Sequence, residues 1–349
     1  MRRKVGLTSK EKYCLYHLVR YPNDNDREVA EKAGLNQSTV TAARRRLAEQ
    51  GYYRTIAVPR LELMGYEILS IGYGHMRELG ANPDPARFEF MRKSFFMLSD
   101  PNSRVALNMS RNYTEVVRDN ESFIQFFTHH EMLDGEMWNS VIFPYSTSWI
   151  PNLFDFSEIL RRAFALRVKP PKPDAARPAT GSLKLTTKER RVLAGLVENP
   201  DMSDSDVAHK VSVSRQAAST MHARFLKEGL LQTRRVPSLS QFGFQIVSFA
   251  HQKINVGMPE KERQSLIAEI YAGAPAFFFA STSLEFAILT AHSNFEGYAD
   301  WMAAYSQSLV KTSYRFPQPR VQIFSVPHTK EVRSYDFVPA TKDMLERYV

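Results

Sequence analysis

The apolar positions of this chain follow two periods, and the period changes inside each half. Over residues 8–51, and again over 186–229, apolar residues recur at a spacing of three or four, which predicts amphipathic helices. Later runs such as 67–73 and 245–252 are short and rich in apolar residues, which is typical of strands. The pattern therefore predicts, in each half, three helices followed by strands and two longer helices.

The second half of the chain repeats the first. Residues 7–74 align with residues 185–252 without a gap, and 21 of the 68 aligned positions are identical. A period this long is not that of a solenoid, whose units are a few tens of residues long. The sequence therefore predicts a duplicated unit of several elements and a pseudo-twofold arrangement of its two copies.

The helical part of each copy carries the signals of a helix-turn-helix. A capping box opens the first helix, with Thr8 and Glu11 in one copy and Thr186 and Glu189 in the other. A second helix and a tight turn follow, and the third helix ends at a glycine, the usual C-terminal stop. Two helices joined by such a turn, the second with a polar and basic outer face, are typical of a helix-turn-helix. The extended segment after the third helix suits a wing strand.

The remainder of each copy is predicted to run strand, helix, strand, strand, helix, strand. The predicted elements are 67–73, 86–98, 104–109, 114–117, 122–139 and 141–144 in the first copy, and 245–252, 259–272, 277–281, 285–291, 295–310 and 320–326 in the second. This order is that of a ferredoxin-like sheet with helices on one face. The other face needs a cover, which the second copy can supply.

These elements divide the chain into five predicted segments. A winged helix-turn-helix domain spans 1–60 and a ferredoxin-like effector and dimerisation domain spans 61–166, and a second such pair spans 185–238 and 239–349. Between them, residues 167–184 contain four prolines and no apolar periodicity, which is typical of a semi-rigid linker. The predicted fold class is α+β, with two winged helix-turn-helix domains and two ferredoxin-like (βαββαβ) domains in a duplicated, pseudo-dimeric chain.

The net charge of +9 is distributed unevenly. Residues 1–60 carry +7, residues 185–238 carry +3 and the linker carries +4, whereas residues 61–166 carry −5. Positive charge on the helical parts favours a polyanionic partner. A basic surface can also act only to keep a protein in solution. Charge by itself therefore leaves open both a polyanionic partner and a role in solubility.

The third helix of each copy provides candidate DNA-contacting residues. If its apolar residues Val40, Ala43 and Leu47 face inward, the small polar residues at its start face outward, as insertion into a major groove requires. Arginines further along would meet phosphates, which position a protein without reading sequence. The alternative is a solvated basic helix face. The candidates are Asn36, Gln37, Ser38, Thr39, Thr41, Arg44, Arg45, Arg46 and Arg54 in the first copy, and Ser214, Arg215, Gln216, Ser219, Thr220, His222, Arg224, Arg234 and Arg235 in the second.

The two third helices differ in the residues that would read bases. Arg215 stands where the first copy has Gln37. Arg46 and Arg224 agree between the copies, which fits either a shared phosphate contact or a shared structural ion pair. Because two unlike helices do not require a palindrome, we predict an asymmetric DNA site.

The third helices and the turns around them follow a known pattern. The segments GLNQSTVTAARRRLAEQGYY and, more loosely, KVSVSRQAASTMHARFLKEGLL are similar to GLSxSTVxxRIRRLEEEGVI. They resemble the Lrp/AsnC (feast/famine) family of prokaryotic transcription regulators, and the resemblance covers essentially the whole chain as two fused copies. It implies a sequence-specific transcription regulator whose partner is double-stranded DNA. In the family two effector domains pack sheet to sheet, so the fusion implies pairing within one chain and leaves a further homodimer open.

The small-ligand loop of that family is where this chain departs from it. The corresponding segments, MSRNYTEVV and ASTSLEFAI, contain no glycine, and one acidic residue, Glu285, stands near the expected place. An ordinary β-hairpin turn is the favoured interpretation. A small-molecule effector of unknown identity would contact Arg111, Asn112 and Tyr113, or Thr282, Ser283 and Glu285.

Other function classes lack their sequence signals. The single cysteine, Cys14, excludes an intramolecular disulfide and a thiolate metal cluster. We find no phosphate-binding loop, nucleophile elbow or paired carboxylates, so we expect no cofactor, no metal and no catalytic residue, and we predict that the protein is not an enzyme. No apolar run approaches the roughly 20 residues that span a bilayer, and the N-terminus lacks the apolar core of a signal peptide. We therefore expect a cytoplasmic, nucleoid-associated protein.

Two alternatives stay open. The siroheme decarboxylases resemble Lrp-like regulators in fold but act on tetrapyrroles, so the architecture alone does not establish gene regulation. Against them stand the polar, basic third helices and the lack of a clear His/Arg cluster at the central hairpin of each predicted sheet. The other alternative is an architectural protein that coats DNA without sequence choice.

Overall fold

The computed structural model describes residues 6–77, 89–133, 138–170 and 185–346. Residues 171–184 of the predicted linker lie outside these ranges, as do residues 86–88 of the predicted helix 86–98. The described residues form an α+β fold of two related halves, which confirms the predicted fold class.

The two halves contain the same elements in the same order. The first half contains α1 (Ser9–Arg20), α2 (Asp26–Ala33), α3 (Gln37–Glu49), β1 (Tyr53–Pro59), β2 (Ile68–His75), α4 (Glu89–Arg92), β3 (Ser94–Ser99), β4 (Ser103–Ser110), α5 (Tyr113–His129), β5 (Asn139–Pro144), β6 (Trp149–Leu153) and α6 (Ser157–Ala163). The second half contains α7 (Thr187–Glu198), α8 (Asp204–Lys210), α9 (Arg215–Lys227), β7 (Leu231–Pro237), β8 (Ile246–Lys253), α10 (Glu260–Gly273), β9 (Ala276–Ser281), β10 (Glu285–His292), α11 (Phe295–Val310), β11 (Arg320–Ser325), β12 (Lys330–Arg333) and α12 (Val338–Glu346).

The ends of the first helices are fixed by the residues that the sequence indicated. The backbone N–H of Thr8 donates to the Glu11 carboxylate at 2.8 Å, and the N–H of Glu11 donates to the Thr8 hydroxyl at 3.3 Å. The same reciprocal pair opens α7. Helix α2 ends at Gly34, whose φ of 64° is left-handed and suits a glycine. Local signals therefore set where the helix-turn-helix begins and turns.

Strands β1 and β7 pair antiparallel and join the two halves in a two-stranded ribbon. Ile56 lies opposite Arg234, its own equivalent in the repeat. The hydroxyl of Tyr73 on β2 is hydrogen-bonded to Nδ1 of His251 on β8 at 2.7 Å, and these residues are also equivalents. Equivalent residues that touch each other must lie on the axis relating the two copies. The two contacts therefore mark a pseudo-twofold axis through the molecule.

Each half contributes one strand to the sheet of the other half. The first sheet has the order β12-β3-β4-β2-β5, and the second has the order β11-β8-β10-β9-β6. Strand β12 comes from the second half and β6 from the first, so neither five-stranded sheet is complete alone. The helices that follow these strands, α6 and α12, contact α1 and α7 respectively.

The two sheets share one apolar core. A continuous cluster of buried residues extends from the helical parts through the ribbon to both sheets. Within it the ring of Tyr73 lies 4.8 Å from that of Phe249, and Phe96 lies 6.3 Å from Phe277. Burying one large apolar side chain contributes about 1.5–3 kcal/mol. Each half thus covers the open sheet face of the other, as the sequence predicted.

The outer face of the second sheet is covered by helices. Tyr298, Trp301 and Tyr305 of α11 pack with apolar residues of α10 in a separate cluster. Among the described residues, no helix combines the length and apolarity needed to cross a membrane.

Two predicted elements of the first half are wrong. The segment predicted as helix 86–98 ends in β3, where residues 95–98 are all buried. A strand covered on both faces is apolar throughout, so it shows no alternation that would distinguish it from a buried helix. The predicted strand 114–117 is the first turn of α5, where Asn112 Oδ1 accepts from the N–H of Glu115 at 2.9 Å. The sequence analysis also missed the last strand and the last helix of each half, β6 with α6 and β12 with α12.

His292 at the end of β10 makes the stability of this fold dependent on pH. The residue is 5% exposed, and its Nε2 lies 2.8 Å from Thr290 Oγ1. Burial lowers the pKa of His292 from 6.5 to about 4. The unfolded chain therefore binds more protons than the folded chain below the unfolded pKa, and the free energy of unfolding falls as pH falls from about 6.5 to about 4.

We expect the substitution His292→Gln to remove this contribution. In urea unfolding at about pH 7 and about pH 4.5, the wild type should lose about 1–3 kcal/mol more than the variant does. The carboxylates titrate in both proteins, so the difference isolates the histidine. Equal losses in the two proteins would contradict the assignment.

Candidate nucleic-acid interface

The outer face of α3 is exposed and polar. Gln37, Ser38 and Arg45 are exposed, and the side chain of Arg45 is 79% exposed. Val40 and Leu47, on the opposite face, are fully buried. The helical period of about 3.6 residues separates the two sets. The side chains predicted to approach a duplex are thus accessible on this helix.

Helix α9 presents the equivalent face with different residues. Arg215, Gln216, Ser219 and Thr220 are exposed, while Phe225 is fully buried. Because the pseudo-twofold axis relates α9 to α3, the two faces lie at the same height along that axis. A duplex has local twofold symmetry as well, and paired helices of this kind dock on one side of it.

The polar residues near the start of α3 and α9 differ in whether their side chains already form hydrogen bonds within the protein. The hydroxyl of Ser214 accepts from the N–H of Ala217 at 3.2 Å, whereas the Asn36 side chain makes no such cap. The Thr41 hydroxyl donates to Asp26 at 2.6 Å, and Thr39 is half-buried. Asn36 therefore presents its amide to solvent, and Thr41 is partly engaged inside the domain.

Arg44 and His222 occupy equivalent positions and tie the third helix to the second. Nε of Arg44 lies 2.6 Å from Oδ1 of Asp26, and its Nη2 donates to the carbonyl of Asp24 at 3.0 Å. Nδ1 of His222 lies 2.7 Å from Oδ1 of Asp204, the equivalent of Asp26. Both side chains are therefore engaged in a contact that fixes the helix-turn-helix angle.

Arg46 and Arg224 form the same ion pair in both halves. Nη2 of Arg46 lies 2.5 Å from Oε1 of Glu11, and Nη2 of Arg224 lies 2.6 Å from Oε1 of Glu189. Burial raises the pKa of Glu189, but its bonds to Thr186 and Arg224 outweigh this and hold it below the ordinary value. The two glutamates are those of the capping boxes. A structural ion pair thus accounts for the agreement between the two arginines.

Two of the three candidate arginines of the ribbon are buried, whereas Arg54 stays exposed and forms an ion pair. Nη2 of Arg54 lies 3.0 Å from Oε2 of Glu331 on β12. Arg234 and Arg235 are 9% and 8% exposed. A buried guanidinium does not reach a duplex in this conformation. We therefore correct the predicted interface by removing Arg234 and Arg235.

Arg235 completes the end of α1. Residue 22 is Pro22, which has no N–H, so the carbonyl of Leu18 lacks its usual partner in the helix. Nη1 of Arg235 donates to that carbonyl at 2.7 Å. Burial lowers the pKa of Arg235 to about 10. The arginine thus satisfies a buried acceptor across the boundary between the halves.

The first set of predicted effector residues lies at a helix start. Arg111, Asn112 and Tyr113 connect β4 to α5, and Asn112 caps that helix. Nη2 of Arg111 lies 2.8 Å from Oδ2 of Asp343. The interpretation of this segment as a β-hairpin turn is wrong, because the preceding strand is the third of its sheet unit, after which a helix begins.

The second set lies at a true hairpin. Thr282, Ser283 and Glu285 lie in and beside the turn between β9 and β10. Oε2 of Glu285 lies 3.0 Å from Nε2 of His251, which the axis contact with Tyr73 also holds. The two predicted sets therefore do not occupy equivalent positions in the two halves.

The sequence analysis missed a buried ionic cluster beneath α5. Lys93 is 5% exposed, and its ammonium lies 3.1 Å from Glu115 and 2.8 Å from Asp119. Burial raises the pKa of Asp119, against the lowering effect of Lys93. A lysine directly before the apolar run 94–99 was the available signal. In the part of the chain that the structure describes, no three His, Cys, Asp or Glu residues are grouped to hold a metal.

Comparison with known proteins identifies the architecture. Neither a family profile nor a curated protein sequence matches the chain. The structure is similar to that of the siroheme decarboxylase NirDL, with 11% identity and a TM-score of 0.51 over 97% of this chain and 99% of that one. NirDL in complex with an iron-uroporphyrin III analogue matches at 10% identity and a TM-score of 0.52, over 98% and 100%. AsnC of E. coli matches at 13% identity over 41% of this chain and 93% of its own, with a TM-score of 0.32.

These matches correct one prediction. The sequence led us to predict that the protein is not an enzyme. An enzyme shares the architecture over nearly the whole length of both chains, so that exclusion does not hold. At these identities the likeness shows the fold alone.

The contacts of Arg235 and the exposure of Arg45 predict unequal effects of their replacement on stability. Arg235→Met leaves the buried Leu18 carbonyl without a donor, so the free energy of unfolding should fall by about 1–3 kcal/mol. Arg45→Ala removes an exposed side chain and should change it by less than about 0.5 kcal/mol. Urea unfolding of the two variants measures both values. A larger loss in the Arg45 variant would contradict this division of roles.

Proposed function

We propose that this protein is a sequence-specific DNA-binding regulator of transcription. The observation that carries the proposal is the pair of exposed polar faces on α3 and α9, related by a pseudo-twofold axis. The arginines on the inner sides of both helices hold them in place, so the outer residues are presented on a rigid support. A preorganised helix loses less entropy on docking than a mobile one.

The exposed residues suit separate tasks at a duplex. Arg215 and Gln37 stand at the first position of their helices, where long polar side chains reach base edges in a major groove. Arg45, two turns further along, meets phosphate instead. Asn36, Ser38, Gln216, Ser219 and Thr220 complete the proposed contact set, and Thr39, Thr41 and Ser214 stand beside it.

The predicted segments take on distinct roles in this proposal. Segments 1–60 and 185–238 bind DNA, and 61–166 and 239–349 hold the two helices at a fixed separation through the paired sheets. The linker 167–184 keeps the second helix near the duplex once the first has docked. Because the two helices differ in sequence, the site they read is asymmetric. Such a protein acts at the nucleoid.

A second function is favoured by the full-length match to NirDL. That protein is a siroheme decarboxylase, and one of its structures holds an iron-uroporphyrin III analogue. A tetrapyrrole of this kind needs a wide pocket and several cations for its carboxylates. In the described part of this chain, the cavity beside Lys93 measures about 40 Å³, and a second cavity, where the ribbon meets the two sheets, measures about 370 Å³. Small-molecule sites usually measure about 300–1,000 Å³, so cavity volume does not separate the two functions. The exposed polar faces of α3 and α9 rank DNA binding first.

Arg45→Ala should weaken DNA binding about threefold to tenfold and make the salt dependence of log affinity shallower by about one unit, because one phosphate contact is lost. Fluorescence anisotropy with labelled duplex at several salt concentrations measures both. Lys261→Ala is the matched control, since it removes the same charge from an exposed position on α10. If Arg45→Ala binds as the wild type does, the assignment of this helix face is wrong.

Selection from random duplexes should return a site without palindromic symmetry. Gln37→Ala and Arg215→Ala should each relax the preference at different positions of that site, by about 1–3 kcal/mol per lost bidentate contact. A perfect palindrome would contradict the use of both unlike helices. Equal affinity for all sequences would instead identify an architectural DNA-coating protein.

Titration with iron-uroporphyrin III tests the second function. A tetrapyrrole site should shift the Soret band saturably, with one equivalent per site, and siroheme should lose carboxyl groups as CO2 under the conditions that NirDL requires. The absence of any Soret shift up to millimolar protein would remove this candidate. If DNA does not displace the bound tetrapyrrole, the two ligands occupy separate sites on one chain.

A further inference from the structure

A cavity of about 370 Å³ lies where the ribbon meets the two sheets. Leu98 of β3, Val247 of β8 and Val326, which follows β11, line its apolar floor. Its rim is polar, with Arg54 of β1 and Glu331 of β12 exposed. Small-molecule sites usually have about this volume, apolar walls and a few polar groups that orient the ligand.

The repeat provides an internal comparison for this cavity. The N–H of Val326 donates to the carbonyl of Gln245 at 2.8 Å, and the N–H of Tyr145 donates to that of Glu67 at 2.9 Å. Val326 and Tyr145 therefore hold the same place in the two halves. The phenol oxygen of Tyr145 is buried, and burial raises the pKa of Tyr145 well above its ordinary value. Tyr145 thus occupies in one half the space that Val326 leaves open in the other.

The polar residues beside Tyr145 are also larger than those beside Val326. Near Tyr145, Nε of Arg60 lies 2.6 Å from Oε1 of Glu62. At the equivalent positions the cavity has two small residues, Ser238 and Ser240. One half is closed by a large ring and an ion pair, and the other is kept open by a valine and two serines.

Arg54 supplies the cation at the rim. Its Nη2 lies 3.0 Å from Oε2 of Glu331 and also contacts the Ser334 hydroxyl, and its guanidinium lies over the ring of Tyr335. In the described part of the chain, these bonds of Arg54 all involve Nη2, so Nε and Nη1 keep N–H groups for another acceptor. Both parallel N–H pairs of a guanidinium include Nη2, so a further carboxylate accepts a single charge-assisted bond from Nε or Nη1. The other half has Gln232 at this position.

We propose that this cavity binds a small carboxylic acid with a hydrocarbon or aryl body. The carboxylate accepts from Arg54, and the body covers Leu98, Val247 and Val326. Removing apolar surface from water favours binding by about 25 cal/mol per Å². The proposal stands apart from DNA binding, since the site requires no nucleic acid.

Fluorescence titration with 1-anilinonaphthalene-8-sulfonate, an aryl anion, tests the site in the full chain. The wild type should bind one equivalent saturably. Octanoate should displace the probe at about tenfold lower concentration than octanol, which has the same hydrocarbon without the charge. Val326→Tyr, which copies the closed half, should weaken probe binding at least about tenfold, and Arg54→Gln should abolish the preference for octanoate over octanol.

Tyr145→Val is the matched control, because it opens the other half and leaves the proposed site intact. It should bind the probe at least as tightly as the wild type. If thermal melting shows that Val326→Tyr is unfolded, Val326→Leu replaces it in the test. The leucine side chain fills less of the cavity than tyrosine, so it should weaken probe binding to a smaller extent. Three results would overturn the proposal: no saturable binding by the wild type, unchanged binding in both Val326 variants, or equal competition by octanol and octanoate.

Discussion

The pairing of β1 with β7 is the constraint on which the rest of the structure depends. This ribbon places Ile56 opposite Arg234 and so fixes the axis that relates the two halves. Once the axis is set, the sheets meet at Tyr73 and His251, and the strands β6 and β12 reach across to complete the opposite sheets. The three-helix parts are carried on the same ribbon. Their relative placement therefore follows from one antiparallel register.

The fold was predictable from the sequence where local signals are strong. Capping boxes, helical periods and the repeat itself indicated the helix-turn-helix units and the elements of the second half as far as β11. The first half was less predictable, because the buried strand 94–99 is apolar on both faces and carries no period. Strands β6 and β12 were missed for a different reason. Each forms by pairing with the edge of a sheet in the other half, and the local sequence pattern contains no information about that pairing.

The candidate interface was predictable in outline but not residue by residue. The sequence indicates which helix face is polar, and Gln37, Arg45 and Arg215 are indeed exposed. It does not reveal that Arg46 and Arg224 bind capping-box glutamates, or that Arg235 binds a carbonyl left open by Pro22. Arginines serve both as surface cations and as internal donors. Partners distant in the chain, which only the folded structure brings together, decide between these roles.

The contact between Ile56 and Arg234 makes the two halves unequal partners. In a dimer of two identical second halves, Arg234 would face a second arginine across the symmetry axis, and two like charges in a poorly solvated ribbon repel. With Ile56 on the opposite strand, the buried guanidinium faces a neutral side chain instead. The ribbon register therefore favours pairing of the two unlike halves within one chain over pairing of two second halves from different chains.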